Sequence, residues 1–320
     1  MSSFSIYGVI ELTLSIILLA VQAVTLPHFM IHAEYRKVIS YQLMFIIGVF
    51  EAYLIIGTGV IPFFKYIGIL GYWSERITGA LYEAALDVLF IMNLALALNR
   101  LFVMVKLYIL KQVNVSESAW ELMFYKFLFA IFGLITAGVT LLFISPYCGL
   151  YLDGENNCFR YDKELKYSIY AYHFESKLYL LATICCFIIY CGIVLLIKVN
   201  APKVSQFGNS TLGQNRRNRE MRILIQSFIQ YVLFLFPLAF GMIGAEPGWS
   251  MIDYYGLITI IEIIFFGLNP ILYFISLSSF RIKVINGLCF WKKTATNSVI
   301  IPKSVKVKPT NVDARISVQF

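Results

Sequence analysis

Acidic residues stand in this chain where a polypeptide rarely tolerates them. Glu51, Glu83, Asp87 and Glu262 each lie inside a long apolar run. An ionisable group inside a membrane is costly, so it faces a bundle interior or a watery cavity. Apart from Arg100, near the boundary of its run, no basic residue shares these runs to pair with them. Such carboxyls are either held protonated in a network between helices, or offered to a cation or a hydrogen-bond donor. Glu83 and Asp87 are four apart and share a helix face. At about 1.5 Å of rise per residue, Asp87 lies about 20 Å from Arg100, and Glu262 about 12 Å from Pro270. Glu83, Asp87 and Glu262 can therefore converge on one pocket. Tyr82, Phe90, Tyr231, Phe234 and Tyr255 are either its aromatic lining or lipid-facing side chains.

Other chemistries are thinly represented. His28 and His32 also share a helix face, but no third ligand is in view, and no metal site is expected. The six cysteines contain no CxxC pair and no zinc spacing. Nothing offers a catalytic triad, a P-loop or a metal centre. The chain reads as a non-enzyme with no cofactor.

Two local patterns read as moving parts. In Asn269-Pro270-Ile271-Leu272-Tyr273 the proline removes a backbone donor and frees a carbonyl. The preceding Asn can satisfy such groups, so the helix gains a tolerated kink; the plainer reading is a helix-ending turn. Asn99-Arg100 closes the wholly apolar stretch Leu94–Leu98. Arg100 either snorkels to the interface or faces the mouth of a bundle, with Glu220 as an available acidic partner.

These residues need elements to hold them, and the composition says which. Of 320 residues 59% are hydrophobic and 14% charged, against about 25% charged in soluble domains. Apolar runs of about 20 residues mean membrane spans. Seven are expected, at Ile6–Met30, Tyr41–Phe63, Ile77–Val105, Leu122–Ile144, Ser176–Ile197, Arg222–Gly244 and Tyr254–Ile275. The first should act as an uncleaved anchor, having no basic n-region and enough length to span. The fold class is thus an all-α membrane protein, a seven-transmembrane helical bundle. Residues 279–290 mix basic and apolar groups and suit a short amphipathic interfacial helix after span seven. Residues 1–290 form the membrane domain, and the polar, basic tail 291–320 is expected to be disordered.

Net charge is +8, which in this setting reports topology rather than nucleic-acid binding. With the N-terminus outside and the C-terminus cytoplasmic, 20 of the 26 Lys and Arg lie on the cytoplasmic side or its flanks, as the positive-inside rule requires. The sequons at Asn114 and Asn209 then fall in cytoplasmic loops, where glycosylation cannot occur. The cluster Arg216, Arg217, Arg219 and Arg222 favours anionic inner-leaflet lipids and can help present an acidic partner.

Seven spans, Asn99-Arg100 closing the third, Pro237 in the sixth and Asn-Pro-x-x-Tyr in the seventh together resemble a rhodopsin-like G-protein-coupled receptor. More narrowly, Ser40-Tyr41-Gln42-Leu43-Met44, Ala97-Leu98-Asn99-Arg100 and Gln226-Ser227-Phe228-Ile229-Gln230 resemble a nematode serpentine chemoreceptor of class t or class x, over about residues 6–290. The resemblance implies a chemosensory receptor in the plasma membrane, in sensory cilia, that binds an extracellular small molecule and signals to a heterotrimeric G protein. It implies that Asn99, Arg100, Glu220, Pro237, Asn269, Pro270 and Tyr273 serve activation and coupling, and that Glu51 and Asn269 share a polar network. A seven-span channel or transporter using the four acids is the alternative. The chain departs from the superfamily in three places. Asn99 replaces the usual acid before the Arg, Leu235 replaces the Trp before the span-six Pro, and no Cys lies near the start of span three. Cys148 and Cys158 either pair locally in the loop or remain two thiols. Cys289 is a palmitoylation candidate or an unmodified buried thiol. Span seven has no Lys between Tyr254 and Ile275, so a retinal Schiff base and light sensing are not expected.

Overall fold

A computed structural model describes residues 6–110, 119–154, 158–205, 218, 220–233, 235, 251–277 and 280–287. Pro237, Phe234, Cys289, both sequons and the tail lie outside the described residues. Six helices among them are long and apolar enough to cross a membrane. We name α1 (Ile6–Thr25), α2 (Ile39–Tyr66), α3 (Tyr72–Tyr108), α4 (Ala119–Ile144), α5 (Ser168–Ser205) and α7 (Met251–Ser276). Residues 220–233 form α6 and residues 280–287 form α8. Six of the seven expected spans reappear as membrane-length helices, while the sixth, Arg222–Gly244, is described only over 220–233 and 235. The fifth differs: its helix starts at Ser168 rather than Ser176. The Tyr-rich stretch 168–175 is polar enough to resemble a loop, yet it continues the helix.

The helices expose what a soluble protein hides. Ile10, Ile16, Phe127, Leu134, Leu141 and Leu195 all face outward. Lipid tails are the solvent for such surfaces, and continuous helices leave no backbone group unpaired within them. The interior is packed with aliphatic side chains such as Leu43, Ile47, Leu54, Val88 and Leu89 and with the rings of Phe132, Phe265 and Phe266. α3 is the central post, packed on α2, α4 and α5, while α1 lies along α7.

Two local irregularities shape the bundle. Residues Ile56–Val60 of α2 form a π-helical turn. A Cβ at Gly59 would overlap Ser15 Oγ on α1, so glycine is what lets the two helices meet there. Gly68, at φ 76°, turns the chain between α2 and α3.

Between α4 and α5 the chain makes an antiparallel hairpin, β1 (Leu150–Asp153) with β2 (Cys158–Tyr161), in the register Leu150↔Tyr161 to Asp153↔Cys158. Three basic or acidic side chains fasten it. Arg76 on α3 donates to the carbonyls of Ile144 (3.3 Å), Cys148 (2.9 Å) and Ser145. Lys65 bridges Glu75 and the Leu152 carbonyl, and Glu75 accepts the Leu152 N–H at 2.5 Å. The local disulfide is not formed: Cys148 and Cys158 are free thiols. The register explains why. The ladder continues to Gly149 opposite Asp162, whereas Cys158 faces Asp153 at the other end. Four strand rises separate these points by about 13 Å, and a disulfide needs Cα atoms within about 7 Å.

α8 buries Phe280 and Val284 while leaving Arg281 and Ile282 exposed. Phe280 stacks on Phe29 with centroids 4.7 Å apart. Lys283 pairs with Glu34 and lies 4.6 Å above the Tyr35 ring. The expected amphipathic helix is therefore present over 280–287.

Candidate functional site

Polar residues gather at both ends of the bundle, called here the Arg100 end and the hairpin end. At the first, Arg100 is fully buried. Its Nη1 donates to Glu220 Oε2 at 3.3 Å, tying α3 to α6. Nε and Nη2 have no hydrogen-bond partner among the described residues. Tyr41, Tyr125 and Tyr190 stand around the guanidinium as electrostatic neighbours. Asn99, where the superfamily has an acid, accepts a hydrogen bond from Ser40 of α2 at 2.6 Å. So Asn99 reaches α2 and leaves Arg100 to α6.

Pro270 lies inside α7. Its missing N–H orphans the carbonyl four residues back, that of Phe266. That carbonyl accepts Gln22 Nε2 from α1 at 3.0 Å. Asn269 does something else than expected for a kink: its Nδ2 donates to Glu51 Oε1 on α2. The expected Glu51–Asn269 pairing is thus in place, and the carbonyl freed by the proline is satisfied by a helix that the motif does not mention. Tyr273, one turn further, is fully buried against Phe29 with centroids 5.3 Å apart.

At the hairpin end, Glu83 Oε1 accepts the hydroxyls of Tyr161 (β2) and Tyr179 (α5), each at 2.8 Å. The Tyr161 hydroxyl also meets Glu175 on α5. Asp87 shares the neighbourhood of Glu83 and Tyr179. Tyr179 stacks on Phe90 at 4.0 Å, and Tyr82 packs against Phe159 of the hairpin at 5.1 Å. Glu262 on α7 lies within electrostatic reach of Glu83 and of Glu11 on α1. Arg160 pairs with Asp153 at 3.1 Å and sits 4.3 Å over the Tyr255 ring of α7. Burial pushes the neighbouring Cys158 thiol up to about 11. Phe159, Arg160 and Tyr161 therefore reach α3, α7 and α5 in turn, so the hairpin closes this end.

Glu83, Asp87 and Glu262 do gather, as their spacing suggested. Glu11 and Glu175 join them, and neither is apparent from spacing. Glu175 precedes the expected fifth span, which starts at Ser176, but lies within the helix that begins at Ser168. Glu11 is the only charge in the first apolar run, but nothing in its spacing points at α7. None of these acids lines the interhelical cavity, which has room for about one water molecule. That cavity lies between α3, α5, α6 and α7, with Asn93, Thr183, Ser227, Gln230 and Tyr231 as its polar wall. Tyr231 is the one residue of the expected ligand set found there.

The described residues form a bundle of membrane-crossing helices, with a buried Arg on the third tied to the sixth. The crystal structure of squid rhodopsin is similar in fold, with TM-score 0.70 at 13% identity, covering 90% of this chain and 86% of that one. No curated protein gives a significant sequence match. The description "serpentine type 7TM GPCR chemoreceptor Srx" matches residues 49–266. The chain belongs to this serpentine chemoreceptor family, which consists of G-protein-coupled receptors and not of enzymes.

Proposed function

We propose that this multi-pass membrane protein is a chemosensory receptor of the plasma membrane, in sensory cilia by family resemblance. It binds an extracellular small molecule and signals to a heterotrimeric G protein. The hairpin end faces outward, because that orientation leaves most Lys and Arg, among them Arg36, Lys37 and Lys106, on the cytoplasmic side. Glu83, Asp87, Glu262 and Tyr82 form the polar wall that a cationic or hydrogen-bond-donating ligand meets.

The observation that carries the reading is the buried Arg100–Glu220 pair. It joins the central post to α6 across the cytoplasmic mouth and holds that mouth shut. A ligand acts by differential affinity for the state in which the pair is open. The released guanidinium, with two N–H edges already unengaged, then meets the G protein. Pro270, Asn269 and Tyr273 let α7 move; Pro237, expected to serve α6 in the same way, lies outside the described residues.

The test is expression with a promiscuous G-protein reporter and a panel of volatile and soluble compounds. Arg100→Ala should abolish responses while leaving surface expression intact. A response that persists fully in that variant would remove Arg100 from the coupling site.

A further inference from the structure

Hydrogens at the hairpin end can be counted, and the count comes out one short. The Tyr161 hydroxyl lies 2.8 Å from Glu83 Oε1 and also meets Glu175 Oε2. A hydroxyl carries one hydrogen, and an ionised carboxylate carries none. Tyr161 can therefore donate to only one of the two acids. The other must bring the second hydrogen itself, as a protonated carboxyl donating to the phenol oxygen. Tyr179 has none to spare, because its hydroxyl donates to Glu83 Oε1 at 2.8 Å. Glu83 and Glu175 are only 3% and 4% exposed, so solvent does little to spread their charge. Lys65, Arg76 and Arg160, the cations that fasten the hairpin, are turned instead to Glu75, to main-chain carbonyls and to Asp153. The other titratable neighbours are Asp87 and Tyr82 on α3 itself, Glu262 on α7 and Cys148 ahead of β1. Each of these is neutral or negative, so none offsets a second carboxylate here.

We propose that Glu83, Tyr161 and Glu175 form a proton-binding site, and that the proton it takes from the outer solution seats the β1–β2 hairpin on α3 and α5. With the proton bound, one carboxyl donates to the Tyr161 oxygen and Tyr161 donates to the other carboxyl, two hydrogens for two bonds. With it gone, two carboxylates face one hydroxyl. One bond is lost, and like charges oppose each other across the gap. Tyr161 ends β2, so the strand then loses its tie to one of the two helices it bridges. Seating is complete at low pH and declines as pH rises through the titration of the pair, which binds its proton as a unit. The acidity outside thus sets how tightly this end of the bundle is capped. The inference goes beyond the receptor reading. Only the outer solution as the proton's source rests on the orientation proposed there.

The experiment is hydrogen exchange of the full-length receptor in detergent micelles, where both ends meet the same buffer. The quantity read is the protection factor, with the intrinsic pH dependence of amide exchange divided out. From about pH 6 to about pH 9, protection of the Cys158–Tyr161 amides should fall about tenfold or more, the weight of one lost hydrogen bond, while the centre of α3 stays level. In Glu175→Gln the amide N–H takes the place of the proton, so protection should stay high at every pH. Glu175→Leu is a second variant: Glu83 alone needs no added proton, so its profile should also be flat. Asp87→Asn and Glu262→Gln neutralise neighbouring acids without touching the shared hydroxyl, and should keep the fall with pH. A flat wild-type profile would overturn the proposal. So would a fall that persists in either Glu175 variant, or one that Asp87→Asn or Glu262→Gln abolishes. If neither Glu175 variant folds, the wild type and the two neighbouring variants decide. Exchange involves neither ligand nor G protein, so a failure of coupling and a failure of this site are read separately.

Discussion

Gln22 shows how much one side chain can hold. It supplies the donor that Pro270 denies to the Phe266 carbonyl, from a helix far away in sequence. Gln22→Leu should cost about 1–3 kcal/mol, the penalty of a buried carbonyl left unmade, and melting of the purified receptor would register it as a lower Tm. An unchanged Tm would mean that another group takes over the carbonyl. On the opposite helix, Glu220→Gln removes the charge that holds Arg100, so basal signalling should rise several-fold without ligand, as measured by the reporter. Cys158 gives a chemical test. Its thiol, pushed up to about 11 by burial, stays protonated near pH 7 and forms the reactive thiolate only as pH rises towards that value. Its alkylation rate, followed by mass spectrometry, should still climb steeply above pH 9. Some of this scale is legible from sequence: Arg100 meets Glu220, and Glu51 meets Asn269. Gln22 and Glu175 were not, because their partners lie on helices whose rotation no spacing encodes.

The hairpin is the element that carries the most unexpected structure. In an apolar-run reading it is a loop with two cysteines, and its strands are too short for periodicity to reveal. What fixes it is the alignment of Arg76 and Glu75, at the start of α3, with carbonyls and amides of a distant segment. Arg76→Met should release those carbonyls. Hydrogen exchange of the Leu150–Tyr161 amides should then quicken by about tenfold or more, while the core of α3 stays protected. If exchange there is unaltered, the hairpin is held from elsewhere, and Tyr161 becomes the stronger candidate anchor. The helices themselves were easier to foresee. Length and hydropathy place the spans, whereas the start of α5 differs because its tyrosines continue the helix despite their polarity.

For the whole molecule, the physical statement is a lipid-facing bundle whose orientation rests on charge bias. In the proposed orientation Asn114 and Asn209 are cytoplasmic, so glycosidase treatment should leave electrophoretic mobility unchanged. An antibody to an N-terminal tag should stain intact cells. A glycan at Asn209 would invert the topology and with it the proposed coupling face. Bundle, span number and receptor class follow from composition and motif. The division of polar residues into an acid-rich end and an uncharged mid-bundle cavity does not, because it depends on which way each helix is turned.

The way the hairpin is fastened has a consequence for where such a receptor can be made. Salt links and carbonyl contacts, unlike a cystine bridge, are indifferent to redox potential. Dithiothreitol should leave this cap seated. Expression in a host with a poorly oxidising secretory lumen should yield the same seated cap, since Cys148 and Cys158 are both free.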